Sequence, residues 1–233
     1  EAYDMKDGTP FVWNNQSDPY DNRDPRMKYT IVCNEMKWPV DPVEIWEGGT
    51  NGLPLQNATT TGYYLKKYVN NTISFEAGST VTKKQHNWVL FRYGEILLNY
   101  AEAMINAFHD PNYKDAVYNM SAREAVNQIR GRTNISLPGF PSDITEKDFV
   151  KRLKNERRVE LAFEGHRFWD VRRWKELGQT ANIYGVKITK NNEVISYEKF
   201  LLETRAVTDN MYFYPIPNTE RFKNPNLGQN LGW

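Results

Sequence analysis

The sequence predicts a mainly α protein built from helical hairpins, with a large irregular, loop-rich portion and a few short strands. Three observations lead to this class. Apolar residues recur at helical spacing between residues 88 and 174, proline and glycine interrupt any period in residues 1–62, and strand-like alternation is confined to short runs. With 233 residues, the chain is long enough to bury a sizeable core as one domain.

The most regular helix is predicted over Trp88 to Phe108. One of its faces is apolar throughout, as expected for a helix that packs on a core. That face consists of Tyr93, Leu97, Tyr100, Met104 and Phe108. Gly94 lies beside it and allows a neighbour to approach closely.

A second helix is predicted to begin after Ser121. The serine and Glu124 form a capping box, in which each side chain bonds to the other residue's backbone amide. The apolar residues that follow continue the helix, and Pro138 with Gly139 requires it to have ended.

The stretch from Thr145 to Trp174 predicts two more helices that meet at Gly165. Thr145 and Asp148 are suited to cap the first of them. Carboxylates and guanidinium groups lie within its otherwise apolar face, namely Glu156, Arg157, Glu160, Glu164 and Arg167. An unpaired buried charge costs several kcal/mol or more, so we expect these five side chains to form a structural ion-pair network, with Arg157 bonded to Glu160.

The same carboxylates permit a different hypothesis, in which Glu156 and Glu160 act as the acid and base of a glycosidase. Each has an arginine within three or four residues, and a neighbouring cation keeps a carboxylate ionised. The structural interpretation is therefore favoured, and no catalytic residue is predicted.

Three segments follow from this pattern. Residues 1–87 are predicted to be loop-rich with short strands, one of them over Thr61–Val69. Residues 88–178 are predicted to form helical hairpins similar to those of tetratricopeptide arrays, although their spacing exceeds that family's period. Residues 179–233 are predicted to form a surface excursion, with a possible hairpin over residues 186–196, and an extended tail in which residues 211–217 cross the helices.

Composition excludes several functions. The net charge of +1 gives no bulk attraction to nucleic acid. The single cysteine, Cys33, rules out an internal disulfide framework, and its thiol is expected to be inert. The sequence contains no phosphate-binding glycine loop and no metal-ligand spacing, so we predict neither a cofactor nor a metal.

Tryptophan and tyrosine are abundant, with 7 and 14 copies, which favours a binding role for some of them. An indole face stacks against the apolar C–H face of a sugar, while nearby amides and charges bind its hydroxyls. Trp38 and Trp46 are the main candidate ligand-binding residues, because polar side chains flank both in the irregular region. Trp13, Tyr63 and Tyr64 are secondary candidates. The alternative is that these rings only cover the edge of the helical hairpins.

Several stretches together resemble the C-terminal domain of the SusD/RagB family over nearly the whole chain. In order, they are NRDPRMKYTI, TGYYLKKYV, FRYGEILLNYAEAM, AVNQIRGR, NERRVELAFEGHRFWDVRRW, YPIP and NPNLGQNLGW. The resemblance implies a single domain over residues 1–233, with the family's N-terminal half absent. In this family the residues of the predicted ion-pair network are structural.

The resemblance also implies a function. Members of the family are non-catalytic lipoproteins of the outer-membrane surface that capture a nutrient, usually an oligosaccharide or polysaccharide, and deliver it to a SusC-like TonB-dependent transporter. The expected partners are therefore a glycan and that transporter. Membrane contact is expected only through a lipid anchor on the missing N-terminal part, and Cys33 is not that anchor. A peptide ligand and a scaffold that binds only protein remain as alternatives.

Overall fold

The computed structural model describes residues 1–15, 18–73 and 83–233. Within these ranges the chain forms six α-helices and two antiparallel two-stranded sheets, which confirms the predicted fold class. The helices are α1 (Arg26–Thr30), α2 (Tyr93–Phe108), α3 (Ala122–Arg130), α4 (Glu146–Glu160), α5 (His166–Arg173) and α6 (Asn218–Lys223). The strands are β1 (Ile31–Val32), β2 (Tyr64–Leu65), β3 (Asn182–Asn191) and β4 (Val194–Thr204).

The first hydrophobic cluster lies among α2, α3 and α4. Leu98 of α2, Val126 of α3 and Phe149 of α4 are completely buried in it. Full burial of one such side chain stabilises the fold by roughly 1.5–3 kcal/mol. The cluster therefore fixes the relative positions of the three longest helices.

Both predicted helix caps are present. Ser121 accepts a hydrogen bond from the Glu124 amide at 3.1 Å, and the Glu124 carboxylate accepts one from the Ser121 amide at 2.8 Å. Thr145 accepts from the amide of Asp148 at 3.2 Å. Local sequence thus determines where α3 and α4 begin.

The start of α2 was predicted five residues too early. Trp88 and Leu90 lie outside the helix and are 80% and 77% exposed. The backbone of Arg92 is extended, so the helix begins only at Tyr93. The Arg92 guanidinium donates a hydrogen bond to Glu160 of α4. Gly94 makes this approach possible, because a Cβ there would lie 3.1 Å from Glu160 Oε1.

The predicted strand over Thr61–Val69 is reduced to β2, which pairs with the equally short β1. Tyr68 has a positive φ of 71°, which ends the extended conformation. Tyr29 and Thr30 belong to α1, since Asp24 accepts from the Arg26 amide and starts a helical turn.

The second hydrophobic cluster joins the loop-rich region to the β3–β4 hairpin. Val32 and Ile45 meet Val186, Ile188 and Tyr197 there, and all five are buried. The prediction that residues 179–210 form only a surface excursion is therefore wrong, although the hairpin within it is confirmed. Its strands alternate between a core-facing and an outward-facing side, and the core-facing side completes this cluster.

The segment that follows the hairpin lies against α5. Arg172 Nε donates to the carbonyl of Met211 at 3.2 Å, and the Tyr214 ring stacks on Phe168 with their centroids 5.9 Å apart. None of the helices in the described ranges is both long enough and apolar enough to cross a membrane.

Helices α4 and α5 are separated by a turn that ends at Gly165, as predicted. Gly165 has a φ of 84°, a left-handed conformation that costs an L-residue roughly 1–2 kcal/mol. Gly165→Ala should lower the free energy of unfolding by about that amount, measured by urea denaturation. No atom lies within 4 Å of the added Cβ, so backbone strain alone causes the loss.

Gly178→Ala is the matched control for this measurement. Its Cβ would also meet nothing within 4 Å, and its φ is not positive. This variant should be as stable as the wild type or slightly more so, because alanine restricts the unfolded chain. Equal losses in the two variants would contradict the assignment of strain to Gly165.

Candidate functional site

The five aromatic residues predicted to bind ligand all pack, half-buried, against the second hydrophobic cluster. Trp38 and Trp46 each have a lysine over the ring, with Lys66 Nζ 4.7 Å from one centroid and Lys190 Nζ 4.4 Å from the other. The two indoles thus cover the second cluster and not the helical hairpins. Their role as ligand contacts stays a prediction.

Tyr64 is held within the loop-rich region by its hydroxyl. That group donates to the carbonyl of Asn51 at 2.6 Å and accepts from the amide of Thr59 at 3.0 Å. Both bonds join loop backbone to β2. A structural role therefore accounts for the hydroxyl of Tyr64.

Trp13 and Tyr63 line one cavity of about 250 Å³, which we call the aromatic cavity. Tyr3, Phe11 and Tyr20 contribute to the same wall. The rings meet edge to face, with centroids 6.2 Å apart for Phe11 and Trp13 and 6.0 Å apart for Tyr20 and Tyr63. This arrangement supports the rings against one another without filling the space between them.

The polar lining of the aromatic cavity is centred on Arg23, which is only 7% exposed. Its guanidinium lies 3.5 Å from the Phe11 centroid and donates to the carbonyls of Pro19 at 2.5 Å and Tyr3 at 2.6 Å. Within the described residues, Arg23 Nε has no acceptor. A buried donor without a partner costs about 1–3 kcal/mol, and this Nε atom is enclosed by the protein beneath the cavity wall.

Two tyrosine hydroxyls lie at the same cavity. Burial raises the pKa of Tyr63 to about 12, which leaves it protonated and able to donate at neutral pH. Burial also raises the pKa of Tyr20, and the neighbouring Tyr63 adds to the rise. No hydrogen bond of normal geometry is made by the Tyr20 hydroxyl in the described part of the chain. The cavity therefore combines ring faces with a buried guanidinium and protonated tyrosine hydroxyls.

Sequence reasoning identified only two residues of the aromatic cavity. Tyr3, Phe11 and Arg23 were not selected, because no motif or spacing marks them. The cavity wall is completed by Arg158 and Phe163, which follow Tyr63 by 95 and 100 positions. Only the fold brings these segments together.

The predicted ion-pair network is present around α4. Glu156 accepts from Arg130 Nη1 at 2.7 Å and also bonds to Arg26. Glu160 accepts from Arg26 at 3.0 Å, Arg92 at 2.7 Å and Arg132 at 2.6 Å. Four arginines thus surround two carboxylates that are 2% and 5% exposed.

Glu164 extends the network to the loop-rich region. It accepts from Arg92 Nε at 2.8 Å and from Lys67 Nζ at 2.6 Å. Arg26 and Lys67 belong to residues 1–73, whereas the carboxylates belong to α4 and the turn after it. The network therefore joins the two parts of the chain.

The predicted bond between Arg157 and Glu160 is wrong, although both side chains are buried as predicted. Arg157 instead donates to Asp170 at 2.8 Å and Asn99 at 2.6 Å. Adjacent turns of α4 point these two side chains toward different neighbours. Arg167 lies apart from the network and donates to Gln179 at 3.0 Å.

The environment of Glu160 bears on the glycosidase hypothesis. Burial alone would raise its pKa, but hydrogen bonds from Arg92 and Arg132, with the nearby Arg26, lower it to about 2. A carboxyl group that stays ionised at neutral pH has no proton to give to a leaving group. The geometry is that of a structural ion pair.

The Cys33 thiol and clusters of metal-ligand side chains are the other features that could support chemistry. Cys33 is buried, and burial raises the pKa of its thiol to about 12, which matches the inert thiol that was predicted. Within residues 1–15, 18–73 and 83–233, no group of three histidine, cysteine or carboxylate side chains is placed to hold a metal ion.

The arrangement of helical hairpins beside a loop-rich side is that of a known family of proteins. The model of the SusD family matches residues 1–233 of this chain. The chain therefore belongs to the SusD family.

Individual relatives agree with this assignment. The SusD-like protein P2 of Formosa agariphila is 29% identical over 159 residues, which cover 66% of this chain and 27% of that protein. A SusD-like protein from Bacteroides fragilis has a TM-score of 0.79 at 27% identity, and the match covers all of this chain and 45% of the solved one. This chain thus spans less than half the length of these relatives.

A second similar solved structure belongs to a relative that binds carbohydrate. It is a SusD-like carbohydrate-binding protein from Bacteroides fragilis, with a TM-score of 0.70 at 26% identity. The match covers 98% of this chain and 47% of that protein. The carbohydrate binding is a property of that relative.

Proposed function

We propose that this protein captures a nutrient glycan at the cell surface without chemically altering it. The observation that carries the proposal is the aromatic cavity, where ring faces and polar side chains meet on a scaffold of the SusD family. The carbohydrate-binding relative supports the ligand class. The ion-paired state of Glu156 and Glu160 supports the absence of catalysis.

The rest of the proposal follows from family membership. Residues 1–233 act as one C-terminal domain of a lipoprotein on the outer-membrane surface. The bound oligosaccharide or polysaccharide passes to a SusC-like TonB-dependent transporter. No nucleic acid and no cofactor takes part.

A second candidate, binding of protein alone, is favoured by one observation. The stretch before and into α2 is apolar and open, with Trp88 80%, Phe91 73% and Tyr93 68% exposed. Contiguous exposed apolar surface is typical of a protein contact. A peptide ligand at the aromatic cavity is the related alternative within the family.

Binding of saccharides and peptides to the intact protein, measured by thermal shift and calorimetry, separates these candidates. A ligand at 100 times its Kd stabilises the folded state by about 2.7 kcal/mol, which is easily detected. At least one saccharide should bind. A protein that binds no saccharide but binds a peptide or a transporter would contradict the glycan proposal.

The location of the site gives a separate prediction. Trp13→Ala and Tyr63→Ala should each weaken binding of the saccharide found in that screen by roughly tenfold, about 1.4 kcal/mol. Each substitution removes an aromatic face on which the C–H groups of a sugar can pack. Tyr63→Phe should keep most of the affinity, since it keeps the ring.

Phe222→Ala serves as the control for that series. Phe222 is aromatic and 83% exposed, and it does not line the aromatic cavity. Circular dichroism would show that each variant is folded. Unchanged affinity in folded Trp13→Ala and Tyr63→Ala, with loss in Trp38→Ala or Trp46→Ala, would instead place the ligand at the tryptophans first predicted.

A further inference from the structure

Helix α4 has a second charged face, on the side away from the ion-pair network. Lys147, Lys151, Lys154 and Arg158 follow one another at intervals of four, three and four residues and therefore lie in one stripe. All four line a cavity of about 450 Å³, which we call the basic cavity. That volume falls within the roughly 300–1,000 Å³ typical of ligand pockets.

The acidic residues of the basic cavity are already paired. Glu176 bonds to Lys154 at 2.5 Å, Glu1 to Lys199 at 2.5 Å, and Asp4 lies 3.6 Å from Arg130. Each carboxylate therefore has a cation in direct contact, and Glu1 adds a longer-range attraction to Arg158.

Five basic residues of this cavity have no ion pair among the described residues. They are Lys147, Lys151, Arg152, Arg158 and Arg167. The whole chain has a net charge of only +1, so a local excess of this size does not follow from composition. Clefts lined by charge of one sign concentrate ligands of the opposite sign.

The basic cavity adjoins the aromatic cavity, because Arg158 lines both. The aromatic cavity is too small for more than about one sugar ring, whereas the basic cavity has room for neighbouring residues of a chain. Arg23 adds a second guanidinium, largely buried, at the aromatic end. The two adjoining cavities therefore place aromatic rings at one end and basic side chains without ion pairs at the other.

We propose that these adjoining cavities bind an acidic glycan, with one sugar ring in the aromatic cavity and its carboxylate or sulfate groups on Arg158 and the stripe of α4. This inference rests on the proposed function and names its substrate class. Guanidinium groups bond to carboxylate and sulfate oxygens in pairs, so Arg158 is the central contact. Lys151 and Lys147 supply further attraction along the stripe.

The test compares matched saccharides on the intact protein by calorimetry. One pair is tetragalacturonate and its fully methyl-esterified form, and the other is a sulfated galactan oligosaccharide and its desulfated form. The acidic member of at least one pair should bind tenfold or more tightly than its neutral partner at 50 mM salt. That preference should shrink at 500 mM salt, because salt screens exposed charges.

Two variants assign the preference to the stripe. Arg158→Gln should reduce binding of the acidic saccharide about tenfold and leave the neutral one nearly unchanged, and Lys151→Gln should act in the same direction. Lys84→Gln is the control, since Lys84 is exposed and lines neither cavity. It should change neither affinity, although it removes the same charge.

The outcomes separate this inference from the proposed function. If no saccharide binds, both fail. Binding of neutral and acidic members with equal affinity, or a preference that survives Arg158→Gln, would overturn the acidic glycan and leave glycan capture standing. A single-stranded oligonucleotide that binds more tightly than both acidic saccharides would also overturn it, because the cavities would then recognise phosphates and bases.

Discussion

Replacing Glu160 by alanine is expected to lower the free energy of unfolding by about 3–5 kcal/mol, the usual cost of removing one partner from a buried ion pair. The loss should be at the upper end, because Arg26 stays buried and both Arg92 and Arg132 also lose a bond. Urea denaturation at neutral pH measures it. Glycan specificity should be unchanged in the protein that remains folded.

Glu198→Ala is the matched control. Glu198 is exposed on β4 and makes no ion pair within the described ranges, so its removal should alter stability by no more than a few tenths of a kcal/mol. Glu160→Gln should fall between the two, since an amide keeps one acceptor but loses the charge. An unfolding midpoint of Glu160→Ala equal to that of the wild type would show that the network contributes nothing.

Acid should destabilise the protein in a defined pH range. The pKa of Glu160 is about 2 in the folded state, below the ordinary value of 4.5, because hydrogen bonds from two arginines outweigh the effect of burial. The pKa of Glu164 is lowered for the same kind of reason. Where folded pKa values are lowered, the unfolded chain binds more protons, and stability decreases as pH decreases.

The contribution of Glu160 is fully present above pH 4.5 and is lost as pH falls from 4.5 toward 2. Urea denaturation at several pH values should therefore show steadily lower stability across that range. Glu160→Gln should have a shallower dependence, because it lacks the titrating group, and identical slopes for the two proteins would rule out Glu160 as its source.

Short-range sequence signals were sufficient to predict where most of the helices begin or end. The Ser121–Glu124 box, the Thr145 cap and Gly165 each act within a few residues, so their structural meaning can be read from adjacent sequence. Charges inside an apolar helix face likewise predicted buried ion pairs. The error over Arg157 arose because spacing along a helix does not determine which neighbouring element each side chain meets.

The loop-rich part could not be predicted in the same way. Tyr3, Phe11 and Trp13 meet Arg158 only because residues far apart in sequence converge on one cavity. The burial of Val186 and Ile188 has the same origin, since a hairpin alone cannot indicate what covers it. The aromatic excess visible in the sequence does not indicate which rings surround a cavity, and a binding role for those rings stays a prediction.

The contact between Arg26 and α4 joins residues that a ribosome makes at well-separated times. The partner of Arg26, Glu156, lies 130 positions later, and the hairpin that completes the second hydrophobic cluster is later still. At roughly 5–20 residues per second, a ribosome needs roughly 7–26 s to add that many residues. During that period Arg26 has Asp24 as a partner but not Glu156 or Glu160, so the contact that joins the loop-rich region to α4 can form only after α4 has been made.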